Sequence, residues 1–238
     1  MEINWAGYNW ITQERWGQIH PDKPIVWYDE SAVVLHDDGQ VDLFSHWNPK
    51  KFRNLLGNSD FFSDIGVGLI SCTEKFEYGY FELTAKLPTQ AFAWPAFWMW
   101  SWDKWPPEID VFEGYANRKG KYWSSFWDIL ENRFWKVESN VHLGKTPNNY
   151  NIGARNHFLG YKSPSVVWNK YAVLWLPEEI SFWYNDTLVR KIKERSILDQ
   201  LKGTTMNVVI NNSVYKTHPS HKKDVGVFSI KDFTYTMY

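Results

Sequence analysis

The chain has 238 residues, with 26 basic and 27 acidic side chains and a formal net charge of −1 at pH 7. A chain of this length can bury most of its apolar surface without disulfides, and its neutral charge balance argues against a nucleic-acid partner, which requires a basic face. Its one cysteine, Cys72, allows neither a disulfide framework nor a cysteine-based zinc site. No apolar run is long enough to span a membrane, and no signal-peptide pattern is visible at the N-terminus. We therefore expect residues 1–238 to form a single domain that does not contact a membrane.

Aromatic residues make up 18% of the chain and include 16 tryptophans. A core needs few tryptophans, because each buried indole N–H must find a hydrogen-bond partner. Flat rings that line a groove suit the apolar faces of sugar rings, so the excess favours a carbohydrate-binding groove. For any single ring, burial in a tryptophan-rich core is the alternative.

Strand patterns dominate the first half of the chain. The segment AVVLHDDGQVDLFSH predicts two strands joined by a turn at 37–39, and the segment after it, 49–56, predicts a short helix. Alternating polarity over 66–87 predicts further strands, with Gly79 where another backbone approaches closely.

The second half continues the same pattern. The segment KYAVLWLPEEISFWYNDTLVRKI predicts three strands, broken by turns at 177–179 and 185–186. A second short helix is predicted over 196–202, ending at Gly203. MNVVINNSV and GVFSIKDFTYTMY predict the last strands, and His218 and His221 between them are predicted to be solvated. Many short strands with little helix predict an all-β sandwich or barrel.

The segment 94–115, WPAFWMWSWDKWPPEIDVFEGY, places three carboxylates in an apolar, strand-like run. Alternate residues of a strand share a face, so Glu108 and Asp110 point the same way, whereas Glu113 points the opposite way in a regular strand. One extra residue, inserted as a β-bulge near Val111 and Phe112, turns Glu113 to the first face. The bulge thus predicts one groove with three acids, in which the Cα atoms of the two glutamates are roughly 13 Å apart at ~3.3 Å per strand step.

This spacing suits glycosidic bond cleavage. Two glutamate side chains that lean together can reach the ~5–5.5 Å separation of retaining glycosidases. Three carboxyl groups this close cannot all ionise, so at least one pKa is expected to rise, as a general acid near neutral pH requires. Asp110 is expected to hold a proton or a hydrogen bond against Glu108. The alternative is a solvated acidic strand edge, and the aromatic surroundings, where unpaired charge is costly, disfavour it.

At these residues the sequence resembles glycoside hydrolase family 16, the group of laminarinases, lichenases, agarases, porphyranases and carrageenases. FEYGYFELTAKLP and WPAFWMW are similar to the family's approach to its catalytic strand, and PPEIDVFE is similar to that strand in its bulged form. WNKYAVLWLPEEISFWYNDTLVRKI, MNVVINN and FSIKDFTY resemble the later strands. The resemblance implies a β-jelly-roll sandwich of two antiparallel sheets with a concave cleft.

Position by position, the resemblance implies that Glu108 is the nucleophile, Asp110 the assisting acid and Glu113 the acid/base. Bulged members often carry a histidine on a neighbouring strand close to the acid/base, and His142 matches that place; a surface or satisfied core histidine is the alternative. Asp232, on the last strand, matches a ligand of the structural calcium of many members. No cofactor is expected for catalysis.

For sugar stacking we predict Trp94, Trp98 and Trp105. Strand alternation places Trp94 and Trp98 on one face, so these two rings line the cleft only where that face is not core. Trp105 precedes the candidate nucleophile by three residues and is predicted to lie at the cleft wall.

The resemblance implies a retaining endo-β-glycanase that hydrolyses a β-1,3- or β-1,3/1,4-glucan, or a galactan, by double displacement. The prolines at 106–107, where laminarinases usually have glycine, and the segment 119–156, which is unlike theirs, leave the polysaccharide open. The bulged motif disfavours the lichenase and xyloglucan-transferase branch. The alternatives are a non-catalytic β-glycan-binding module and a transglycosylase on the same site. We expect a monomer, and by analogy with the family we expect it to act in the periplasm or outside the cell.

Overall fold

The structure is a computed structural model that describes residues 1–19, 25–52, 60–122, 136–144, 150–151, 155–158 and 163–238. In these ranges the chain forms strands, two short 3-10 turns (Glu30–Ala32 and Pro219–Lys222) and one α-helix, α1 (Arg195–Leu201). The strands of the first part are β1 (Glu2–Trp5), β2 (Tyr8–Ile11), β3 (Val26–Tyr28), β4 (Val33–Leu35), β5 (Val41–Phe52), β6 (Phe61–Val67), β7 (Leu69–Cys72), β8 (Gly79–Lys86) and β9 (Ala93–Trp100). Those of the second part are β10 (Glu108–Glu113), β11 (Lys136–Leu143), β12 (Tyr150–Asn151), β13 (Arg155–Phe158), β14 (Asn169–Leu176), β15 (Glu179–Tyr184), β16 (Thr187–Ile192), β17 (Asn207–Val214) and β18 (Gly226–Thr236).

The strands form two sheets. The sheet that carries β10, called the cleft sheet below, has the order β1-β2-β7-β17-β9-β10-β11-β12, with β13 also paired to β11. The second, called the outer sheet, has the order β16-β15-β14-β8-β18-β5-β6-β3, with β4 paired to β5. Neighbouring strands are antiparallel apart from β3 and β6, which are parallel. The predicted all-β sandwich of two sheets is therefore confirmed.

The main core lies between the two sheets. Phe97 and Met99 of β9, Ile109 and Phe112 of β10, and Phe228 of β18 are all fully buried in one apolar cluster. Each such side chain contributes about 1.5–3 kcal/mol by leaving water. Because alternate residues of β9 and β10 are committed to this core, the residues between them point to the opposite face of the cleft sheet.

Most predicted elements are confirmed. The turn at 37–39 joins β4 to β5, and the turn at 185–186 joins β15 to β16. In that second turn Asn185 and Asp186 have φ values of 47° and 62°, the left-handed conformation of a two-residue hairpin loop. Gly79 does lie at a close approach: a Cβ there would be 2.4 Å from Tyr235 Cε2 and 2.7 Å from the Thr236 carbonyl oxygen. The helix predicted over 196–202 is α1.

Two predictions are wrong. The helix predicted over 49–56 is not formed over 49–52, because these residues continue β5 and pair with β6, Lys50 opposite Ser63; residues 53–56 lie outside the described residues. His221 is not solvated but 1% exposed, because its Nε2 atom lies 2.7 Å from the Ala91 carbonyl oxygen and its Nδ1 atom accepts from the His218 backbone N–H. In both cases a tertiary partner decides the outcome.

The helices of the described residues include none that is both long and apolar enough to cross a membrane.

Candidate active site

A β-bulge in β10 sets the direction of the three acids. On β9 the partners of Glu108 and Glu113 are Trp100 and Ala96, which are four residues apart, although the two glutamates are five apart. The other neighbour, β11, shows the same four-residue span. On both sides the register shifts after Asp110, so one extra residue lies between Asp110 and Glu113. The predicted bulge is confirmed, and it gives the two glutamates the side-chain direction of residues four steps apart.

Burial of the intervening residues agrees with this geometry. Ile109, Val111 and Phe112 are fully buried in the core between the sheets. Asp110 and Glu113 are 3% and 9% exposed and lie among polar and aromatic side chains instead. Because the bulge inserts one extra residue, two consecutive residues, Val111 and Phe112, are buried in the core. They leave the acids together on the cleft face.

The Glu108 end of β10 is rich in ionisable groups. The indole N–H of Trp105 donates to Oε2 of Glu108 at 2.7 Å. His142 on β11 places its Nε2 atom 3.1 Å from Oδ2 of Asp110 and 3.6 Å from Oε1 of Glu108. The Asn140 side chain also lies 3.1 Å from that ring nitrogen. Trp105 and His142 therefore contact the two carboxyl groups, and Asn140 contacts the histidine ring.

Electrostatics at this end favour a protonated carboxyl. Burial raises the pKa of Glu108 well above its ordinary value, and neighbouring Asp110 raises it further. His142 and the Trp105 hydrogen bond act in the opposite direction. Burial also raises the pKa of Asp110 well above its ordinary value, with a further contribution from Glu113. The pair can therefore hold a proton near neutral pH, which leaves one carboxylate free to react.

His142 does not lie where the resemblance predicted it. The expected position was close to Glu113, but His142 pairs with Glu108, and the residue opposite Glu113 is Glu138. The reason is the register of the antiparallel strands β10 and β11. It places the C-terminal end of β11, with His142, beside the N-terminal end of β10, with Glu108. His142 thus contacts the candidate nucleophile and Asp110 rather than the candidate acid/base.

The Glu113 end is built from neutral donors. The indole N–H of Trp94 donates to Oε1 of Glu113 at 3.0 Å, and the Tyr115 hydroxyl donates to the same oxygen at 2.8 Å. The two rings stack, with centroids 5.5 Å apart and planes 25° apart. Sequence reasoning missed Tyr115, although strand alternation offered a signal, because the residue two positions after Glu113 can return to the same face.

A model of glycosyl hydrolases family 16 matches residues 28–229. The chain belongs to glycosyl hydrolases family 16. Endo-1,3-1,4-beta-glycanase EglC of Rhizobium meliloti is 29% identical over 150 residues, which cover 62% of this chain and 28% of EglC. Beta-glucanase of Rhodothermus marinus is 26% identical over 140 residues, which cover 51% of this chain and 40% of the relative. The chain thus spans less than half the length of these two curated relatives.

Solved structures share the fold. The GH16 protein of the Bacteroides ovatus mixed linkage glucan PUL, in complex with a G4G4G3G product, superposes with a TM-score of 0.70 at 17% identity, covering 99% of both chains. LamAcat from Zobellia galactanivorans superposes with a TM-score of 0.64 at 17% identity, covering 89% of this chain and 82% of LamAcat. The jelly-roll sandwich implied by the family resemblance is confirmed.

A fourth carboxyl, that of Glu14, interacts electrostatically with Glu108 and was not predicted. Glu14 is fully buried, and one of its oxygens accepts from the Ser71 hydroxyl at 3.1 Å. Burial raises the pKa of Glu14 to about 8, with a smaller contribution from Glu108. Its local sequence, ITQERWGQ, carries no sign of this environment, which is assembled by β7 and β9 from distant parts of the chain.

The three tryptophans predicted for sugar stacking differ in exposure. Trp105, beside Glu108, is 45% exposed and is the most exposed of the three rings. Trp98 is half-buried, donates its indole N–H to Oδ1 of Asn211 at 2.8 Å and stacks on Trp100 at 6.5 Å. Trp94 is half-buried and has one face against Tyr115. Trp98 packs on a second apolar cluster, which consists of Val26, Tyr28, Ile65, Val67, Leu69, Trp100, Val209 and Val214.

The surroundings of Asp232 do not fit a calcium ion. Its side chain is exposed and lies 3.8 Å from the Lys231 ammonium, a charge that repels a cation. Among the described residues, the one group of three or more acidic, histidine or cysteine side chains within ligating distance is Glu108, Asp110 and His142 at the site above. The segment 119–156, predicted to differ from laminarinases, lies mostly outside the described residues.

Proposed function

We propose that this chain is a retaining endo-β-glycanase that hydrolyses a β-linked polysaccharide by double displacement. The bulge in β10 carries the proposal, because it turns Glu108 and Glu113 to one face four strand steps apart. Membership of glycosyl hydrolases family 16 supports glycosidase chemistry at these two residues.

In the first step, Glu113 donates its proton to the glycosidic oxygen while a Glu108 oxygen attacks the anomeric carbon. The bond from that carbon to the leaving oxygen breaks, and its electron pair stays with the leaving sugar, which departs as an alcohol. Glu108 must be ionised to attack. Asp110 supports this state by holding the proton that the buried pair retains, and the Trp105 N–H stabilises the resulting carboxylate.

In the second step, water attacks the same carbon and the Glu113 carboxylate takes its proton. The ester bond to Glu108 breaks, so the nucleophile regains its carboxylate and Glu113 regains its proton. Two inversions at one carbon leave the product with the β configuration of the substrate.

The names of the curated relatives, among them a glucan endo-1,3-beta-glucosidase of Niallia circulans, favour a β-glucan with 1,3 or mixed 1,3 and 1,4 linkages over a galactan. A polymeric substrate further implies action in the periplasm or outside the cell. We propose a monomer, since one chain supplies both glutamates; sedimentation of the purified protein tests this.

The test is a polysaccharide panel of laminarin, mixed-linkage glucan, agarose, porphyran, carrageenan and β-galactan, assayed for new reducing ends. The expected result is cleavage of a β-glucan, with retained configuration by proton NMR of the first products. On the polysaccharide, Glu108→Ala is expected to abolish turnover and Glu113→Ala to lower kcat/KM about 10²–10⁴-fold, while the circular dichroism spectrum of each is unchanged. Undiminished turnover in either variant refutes the assignment. Binding without cleavage identifies a glycan-binding module, and longer oligosaccharides at high acceptor concentration identify a transglycosylase.

A further inference from the structure

Both hydrogen bonds to Glu113 that come from the stacked aromatic pair end on the same atom. Trp94 Nε1 lies 3.0 Å and the Tyr115 hydroxyl 2.8 Å from Oε1. An indole N–H can only donate, and a phenol that donates here uses its single proton. Oε1 therefore receives two donors, and a carboxyl oxygen that receives two donors cannot itself carry the acidic hydrogen without a clash between protons.

The Tyr115 ring is held in place from several sides. It stacks on Trp94, and the ring of Tyr215 packs edge-on against it with centroids 5.7 Å apart. Tyr215 is itself anchored by a 2.6 Å hydrogen bond to the Ala116 carbonyl oxygen. Gly114 lets the chain pass Tyr122 closely, since a Cβ at that position would lie 2.9 Å from the Tyr122 ring. Because these contacts fix the ring, the hydroxyl needs little further ordering to donate to Glu113.

We infer that Tyr115 is a positioning residue which, with Trp94, restricts the acidic proton of Glu113 to Oε2 and aims that oxygen at the glycosidic bond. The inference rests on the proposed function, in which Glu113 is the acid/base. When Glu113 has given up its proton, the two donors stabilise the charge on Oε1 and leave Oε2 to accept the proton of the attacking water. One oxygen then serves both steps, and the other serves as the anchor.

The inference predicts a defect that depends on the leaving group. Tyr115→Phe keeps the ring and its stacking but loses the donor to an ionisable oxygen, so kcat/KM on the polysaccharide that the panel selects is expected to fall roughly 10–100-fold. A 2,4-dinitrophenol leaving group departs without a proton. On the 2,4-dinitrophenyl β-glycoside of the corresponding disaccharide (laminaribiose for a β-1,3-glucan), kcat/KM, which reports the first step, is expected to change by less than about twofold.

The outer sheet offers a matched control. The Tyr80 hydroxyl donates to Oε2 of Glu82, two residues away on β8, at 2.7 Å, so it reproduces the tyrosine-glutamate pair far from the cleft. Tyr80→Phe is expected to leave kcat/KM on both substrates unchanged. Urea unfolding of both variants separates a loss of stability from a loss of proton transfer.

Two results overturn the inference: an unchanged rate of Tyr115→Phe on the polysaccharide, or an equal loss on both substrates, which indicates a merely structural role. Glu113→Ala, measured in parallel, separates this failure from that of the proposed function. If Glu113→Ala shows the leaving-group dependence and Tyr115→Phe does not, only the role of Tyr115 is lost. If Glu113→Ala cleaves the polysaccharide at the normal rate, the acid/base assignment is lost as well.

Discussion

The two ends of β10 carry chemically identical side chains, Glu108 and Glu113, in opposite electrostatic surroundings. Glu108 is surrounded by ionisable groups, namely Asp110, His142 and Glu14. Glu113 is held by two neutral aromatic donors, Trp94 and Tyr115, on one oxygen. Glu108, which must share and release charge, lies among other titrating groups. Glu113, which must present one proton in one direction, is held by donors that stay neutral, because burial raises the pKa of Tyr115 above its ordinary value. One strand therefore yields two different carboxyl groups, through neighbours rather than through residue type.

The largest expected effect comes from removing each glutamate and offering azide as a replacement nucleophile. In Glu113→Ala, kcat/KM on the polysaccharide is expected to fall about 10²–10⁴-fold, the usual contribution of general acid–base catalysis. The same variant is expected to remain active on a 2,4-dinitrophenyl β-glycoside, whose leaving group needs no proton. Azide then attacks the Glu108 ester and gives a β-glycosyl azide. In Glu108→Ala, azide attacks the substrate directly from the opposite side and gives an α-glycosyl azide. Proton NMR of the two azides tests the comparison.

The configuration of the azides is the decisive observation, because a merely damaged fold produces neither. The same azide from both variants contradicts the division of roles between the two ends of the strand. Wild-type protein incubated with azide is the control and is expected to give only the hydrolysis product.

The next largest effect concerns the buried carboxyl group of Glu14, which makes the stability of the protein depend on pH. Burial raises the pKa of Glu14 from 4.5 to about 8, so the folded state keeps a proton that the unfolded chain releases near pH 4.5. Stability therefore falls as the pH rises from 4.5 to 8, by about 4 kcal/mol at ~1.4 kcal/mol per pH unit. Glu14→Gln cannot ionise and lacks this fall.

Urea unfolding of wild type and Glu14→Gln at pH 5, 7 and 9 measures the effect. The difference in the free energy of unfolding is expected to shift in favour of the variant by about 4 kcal/mol between pH 5 and pH 9. Glu108 and Asp110 titrate in both proteins, so their contribution cancels in this difference apart from the smaller interaction between Glu108 and Glu14. A difference that is equal at all three pH values shows that Glu14 does not bind the extra proton.

The same contrast explains what sequence reasoning could and could not predict. The bulge was predictable because Glu108, Asp110 and Glu113 are local in sequence, and a regular strand would have buried one charge in the core. Tyr115 was within reach of the same alternation argument. Glu14 was not predictable, because its burial against Ser71 of β7 and its interaction with Glu108 depend on tertiary contacts.

His142 shows a second limit. The residue was predictable as part of the site from the resemblance, but its partner depends on the register between β10 and β11. His142 was predicted beside Glu113, but Glu138 occupies that position, and His142 lies four residues further along β11, opposite Glu108. Sequence alone does not fix a register between strands joined by a long connection.

His142→Ala is expected to have a medium effect, restricted to the Glu108 end. His142 lowers the pKa of Glu108, so its removal raises that pKa and moves the acidic limb of kcat/KM to higher pH. Below the optimum the rate is expected to fall about tenfold, and near the alkaline limb it is expected to be close to that of the wild type. A uniform loss across the pH profile contradicts this role.

The smallest effect is expected from Trp105→Phe, which keeps a ring at the cleft wall and removes the N–H that donates to Glu108 at 2.7 Å. That hydrogen bond also lowers the pKa of Glu108, so the acidic limb is expected to move upward in the same direction as in His142→Ala. Because Trp105 is 45% exposed, water can replace much of the lost donor, and a loss of roughly threefold to tenfold in kcat/KM below the optimum is expected. Trp183→Phe is the matched control, since the Trp183 indole N–H on the outer sheet is buried and has no hydrogen-bond partner among the residues that the structure describes. A Trp105 variant with an unshifted acidic limb but a raised KM would show that the ring serves sugar binding alone, and that the nucleophile is tuned by Asp110 and His142.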